Sequence, residues 1–92
     1  MSKWDKLIAR ICNLSKDLRF IELQKVLETY GYRMDAPRGG SSHYTFRKQG
    51  KNPITIPKHE PIKKVYVLMV RKVVESEERE NENAEWVYEY VI

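Results

Sequence analysis

Apolar residues recur at helical spacing over residues 2–13, where Trp4, Leu7, Ile8, Ile11 and Cys12 share one face. Ser2, three residues before Asp5, supplies a candidate capping box, so the segment reads as a short amphipathic helix. A second helical pattern runs over residues 19–30. It places Phe20, Leu23, Val26, Leu27 and Tyr30 on one side and Arg19, Glu22, Lys25 and Glu28 on the other. Asp17 is its candidate N-cap and Gly31 its natural stop.

After Gly31 the period shortens to two. Tyr32, Met34 and Ala36 alternate with Arg33, Asp35 and Pro37, which predicts a half-buried strand. The turn-rich residues 37–42 lead to a second strand over 43–48, with Tyr44 and Phe46 on one face and His43, Thr45 and Arg47 on the other. A turn at residues 49–52 introduces a third strand over 53–57, whose Ile54 and Ile56 share a side and whose prolines suit a sheet edge. Such short links imply an antiparallel meander.

Residues 62–75 return to helical spacing, with Ile62, Val65, Tyr66, Met69, Val70 and Val73 on one broad face. Their β-branched content would also suit a buried strand over 64–70, but length and spacing favour helix. The predicted fold is therefore α+β, with helices packed on one face of a three-stranded antiparallel sheet. Beyond it, residues 75–85 are polar and Glu-rich, as in a solvated helix extension or a linker. In residues 85–91 Trp86, Tyr88 and Tyr90 alternate with Val87, Glu89 and Val91, which suggests an added strand.

Composition narrows the function. A chain of 92 residues is one domain with a modest core, too small for a deep cofactor pocket, so no cofactor is expected and function belongs on a surface or shallow groove. With 41% hydrophobic and 33% charged residues it should fold as an ordinary globular domain. No apolar run approaches the ~20 residues of a membrane span, and residues 1–5 lack the apolar core of a secretory signal, so the expected location is the cytoplasm. The single Cys12 cannot form an internal disulfide and, beside Ile8 and Ile11, reads as packing rather than as a nucleophile. One Cys and two His fall short of a four-ligand zinc site, so no metal is expected unless carboxylates complete a looser one.

Charge changes the picture more. Residues 75–92 hold seven Glu against Arg79 alone, a net of −6, so with +4 overall residues 1–74 carry +10. A body that basic attracts a polyanion, and the acidic tail would be repelled by the same ligand. The same pattern also serves simply as a solubilising charge distribution.

His43 and His59 are the two side chains whose ordinary titration range brackets neutral pH. RNA cleavage by internal transfer needs a base near the 2′-hydroxyl, an acid for the leaving oxygen, and cations or amides for the phosphate. Two histidines among Lys, Arg and Gly meet that need, although a histidine opening a strand is also a common surface or packing residue. Gly39 and Gly40 permit close backbone approach to a phosphate, with Ser41 and Ser42 as hydroxyl donors. On turn chemistry alone a plain hairpin link explains them as well. Arg33, Arg38, Arg47, Lys48, Lys51 and Lys58 lie on or beside the strands and could form one basic field on the sheet.

Four segments in order carry a resemblance: residues 23–32, ending in Tyr30-Gly31-Tyr32; Gly40-Ser41-Ser42-His43-Tyr44-Thr45-Phe46; Ile54-Thr55-Ile56-Pro57-Lys58-His59; and the helix from Ile62. The chain resembles the HicA-like mRNA interferase toxins over residues 19–75. The resemblance implies a fold like a double-stranded-RNA-binding domain, cleavage of mRNA, and neutralisation by a HicB-like antitoxin protein. It carries the family's catalytic histidine onto His43 and its second histidine, structural or secondary, onto His59. Gly40, Ser41, Ser42 and the basic residues become candidate RNA contacts.

The chain departs from the pattern in three places. The turn has one residue more than Gly-Ser-His. Pro61-Ile62-Lys63-Lys64 stands where family helices often carry Gly-Thr. Residues 1–18, which include the extra helix, and an acidic aromatic extension flank the matching region. We expect a toxin domain over residues 1–75 and an extension over 76–92. The competing readings are a catalytically silent RNA-binding module on the same fold and a protein-interaction partner.

Overall fold

The computed structural model describes residues 2–37, Gly39 and residues 42–81, apart from the side chains of the last three. Its elements are α1 (Lys3–Cys12), α2 (Phe20–Thr29), β1 (Arg33–Asp35), β2 (His43–Arg47), β3 (Ile54–Pro57) and α3 (Lys64–Asn81). The strands form one antiparallel sheet in the order β1-β2-β3, the meander that the short links imply. From α2 to α3 the order is the one expected of a double-stranded-RNA-binding-domain-like fold, with α1 added in front.

Local chemistry sets most element ends. The Ser2 hydroxyl accepts from the Asp5 amide at 3.1 Å and the Asp5 carboxylate accepts from Ser2, closing the predicted capping box on α1. At the end of α2, Gly31 adopts φ +96°. This lets the Tyr32 amide reach back to the Leu27 carbonyl at 3.0 Å and the Gly31 amide to Glu28 at 3.0 Å. That reversal sends the chain directly into β1.

Two local expectations are corrected. Asp17 does not cap α2: the Glu22 carboxylate accepts from the Arg19 amide at 2.9 Å, whereas Asp17 pairs with Arg10 at 3.1 Å. Arg10 also reaches Glu22 at 2.6 Å, so one guanidinium ties α1 to the start of α2. Cys12, expected as packing, is exposed at the end of α1. Partial burial of its thiol, followed by the charge of Glu75, pushes its pKa up, the opposite of what activates a thiolate nucleophile.

The core lies between the helices and the inner sheet face. Leu7 and Ile11 enter it from α1, Phe20, Leu23, Val26 and Leu27 from α2, and Phe46 and Ile56 from the sheet. Phe46 is fully buried with its ring 6.0 Å from that of Phe20. Full burial of such a side chain contributes about 2–3 kcal/mol.

In α3 the buried stripe is Val67, Val70, Val73 and Val74, and the predicted Val65 and Met69 remain 51% and 39% exposed. At ~100° per residue, Val67, Val70 and Val74 fall within roughly 60° of one another, and Val65 and Met69 lie on the far side. The sequence holds two overlapping apolar stripes, and docking against α1 and α2 selects one. The helix continues through residue 75 to Asn81, so the first Glu-rich residues form a helix extension. The expected strand over 85–91 lies outside the described residues. No described helix is long and apolar enough to cross a membrane.

Candidate active site

Strand register brings the two histidines together. His43 opens β2 opposite Pro57, the last residue of β3, and the Lys58 amide donates to the Ser42 carbonyl at 2.7 Å. The chain then turns, with the His59 amide donating to the Pro57 carbonyl at 2.9 Å. His43 and His59 thereby line one shallow hollow of about 230 Å³ with Ser42, Pro57, Lys63 and Tyr66. Both histidines are exposed, as solvent and substrate access require.

From sequence, Tyr66 is a position on the apolar face of the last helix and Lys63 part of its entry, and neither is a site candidate. The Lys63 carbonyl accepts from the Tyr66 and Val67 amides at 3.0 and 3.3 Å, which fixes Lys63 as the last residue before the helix. One signal was available. Lys63 and Tyr66 are three apart, the spacing of helix neighbours, in the first turn after the loop that carries His59.

Four of the cations nominated from sequence gather away from the histidines. Arg33, Arg47, Lys48 and Lys51 line a separate open groove of about 830 Å³ with Gly31, Asp35, Gln49 and Pro53. Its Arg47 lies four residues along β2 from His43, roughly 13 Å at ~3.3 Å per residue. Between them on the outer sheet face the Thr45 and Thr55 hydroxyls meet at 3.0 Å.

Ion pairs also run through the groove. Arg47 holds Asp35 at 2.8 Å, an exposed contact, and Lys48 holds Glu77 of the α3 extension with both side chains partly buried. Lys58 neighbours His59, but its ammonium sits 5.9 Å from the centres of both the Phe20 and Tyr44 rings. Ser42 lines the hollow itself, and Arg38, Gly40 and Ser41 lie outside the described residues.

A hollow with two imidazoles and an ammonium can accept one proton, donate another and hold an anion between them. Comparison with curated proteins and with solved structures gives no match. A family model does match: that of the HicA toxin of bacterial toxin–antitoxin systems, over residues 21–75. The matched span contains nearly all of α2, the whole sheet, both histidines and the hollow-lining part of α3. Because it covers more than half of the chain and the α+β fold agrees with it, the protein belongs to the HicA toxin family of bacterial toxin–antitoxin systems.

Proposed function

We propose that this toxin is a metal-independent endoribonuclease that cleaves mRNA in the cytoplasm, with His43 as a general acid or base. The observation that carries this reading is the placement of His43 and His59 on one exposed hollow. One imidazole takes the proton of the RNA 2′-hydroxyl as the 2′-oxygen bonds to phosphorus. The P–O5′ bond breaks, and the leaving 5′-oxygen takes a proton from an acid, for which the second imidazole is suitably placed. The products are a 2′,3′-cyclic phosphate and a 5′-hydroxyl, and no redox partner is needed. Arg33, Lys51 and their neighbours in the groove would hold flanking phosphates. A HicB-like antitoxin would silence the toxin by covering His43 or by presenting carboxylates to Arg33, Arg47 and Lys58.

The test is His43→Ala. We expect it to lose ~10²–10⁴-fold in cleavage rate, the usual worth of acid–base help, and to lose growth arrest on expression. Its circular dichroism and RNA affinity should stay close to wild type, because the side chain is exposed and affinity rests on cations elsewhere. RNA binding without cleavage by the wild-type chain would favour the silent binding module instead.

A further inference from the structure

We propose that Lys63 is the cation that neutralises the scissile phosphate, an inference that rests on the ribonuclease reading above. As the 2′-oxygen attacks, charge accumulates on the non-bridging oxygens of the five-coordinate phosphorus, and a nearby ammonium favours that state over the ground state. The cation has to stand beside the histidines. Arg47 and Lys48 line the distant groove and are paired with Asp35 and Glu77, and the Lys58 ammonium is held over two rings. Lys63 lines the hollow that His43 and His59 line.

Three further observations suit Lys63 to the task. Its side chain is exposed, and no carboxylate among the described residues pairs with it. The acidic residue nearest in sequence, Glu60, is committed elsewhere: its carboxylate accepts from the Phe20 amide at 3.2 Å. The Lys63 backbone is also anchored, by the two helical hydrogen bonds its carbonyl accepts and by buried Ile62 beside it. A fixed Cα with an uncommitted ammonium keeps the charge near the hollow. Lys64, the next residue, instead lines a second hollow with Lys16 and Leu14, which Lys63 borders as well.

The experiment uses the full chain and compares wild type, Lys63→Met, Lys63→Arg and Lys64→Met on a single-stranded RNA oligonucleotide. A parallel titration with inorganic phosphate follows the ring signals of His43 and His59 by NMR. We expect Lys63→Met to lower kcat by ~10–100-fold with KM changed less than about twofold, and Lys63→Arg to restore most of the rate. Lys64→Met, with the same loss of charge, should stay near wild type. Phosphate should shift both ring signals in wild type and Lys64→Met but not in Lys63→Met. A Lys63→Met enzyme with undiminished kcat, or a Lys64→Met loss as large, overturns the assignment. If the wild-type chain cuts no RNA, the ribonuclease reading fails by itself and with it the transition-state role of Lys63; the titration then decides only whether Lys63 holds phosphate in the hollow, which an unchanged response in Lys63→Met rejects and a lost one upholds.

Discussion

Tyr30 shows how one side chain can record the packing around it. Its hydroxyl donates to the Glu78 carboxylate at 3.2 Å and its ring meets Trp4 edge-on at 5.9 Å, so the end of α2 is bound to both flanking helices. Burial first, and then the negative charge of Glu78, push its pKa up to about 12. Since the ordinary value is 10.0, the folded state holds the phenolic proton more tightly than the unfolded state does. The stability from this group is therefore complete below pH 10 and is lost as pH rises towards about 12. We expect alkaline unfolding in that window. Glu78→Gln should move Tyr30 ionisation part of the way back, read by phenolate absorbance. A titration unchanged in Glu78→Gln would show that Glu78 contributes nothing to the shift.

Among the elements, α3 does the most diverse work. Its first turn supplies Tyr66 to the hollow, its middle fills the core with Val67, Val70 and Val74, and its extension carries Glu77 to Lys48 beyond β2. Partial burial makes this last contact stronger than an exposed pair, because less water screens the charges and a lone lysine would remain partly desolvated. Glu77→Gln should cost about 1–2 kcal/mol in urea unfolding, between the values typical of exposed and of fully buried pairs. The Arg71–Glu75 pair, four residues apart on the same helix with side chains 34% and 50% exposed, offers a comparison. Its loss in Glu75→Gln should cost only ~0.3–0.5 kcal/mol. Equal effects of the two substitutions would mean that the extension is not anchored through Lys48.

On the scale of the whole molecule, charge separates the body from its tail, +10 on residues 1–74 against −6 on 75–92. On the proposed function, RNA affinity should fall steeply with salt. Three or four phosphate contacts give a slope of about −2 to −3 in log K against log salt, at roughly −0.7 per contact for a single strand. A slope near zero in a binding titration would remove the groove from RNA recognition. Antitoxin association should likewise be fastest at low salt if carboxylates face the basic residues. The sequence by itself determined the element order, the capping box of Ser2 and Asp5, the Gly31 reversal and the faces of β2. Each of these depends on neighbours within a few residues, through a period of 3.6 or 2 or through one turn. Only the tertiary structure decided which stripe of α3 is buried, that Arg33, Arg47, Lys48 and Lys51 line one groove, and that His59 and Lys63 line the hollow with His43. Those outcomes depend on strand register and helix docking, which join residues far apart in the chain and leave no local period to read.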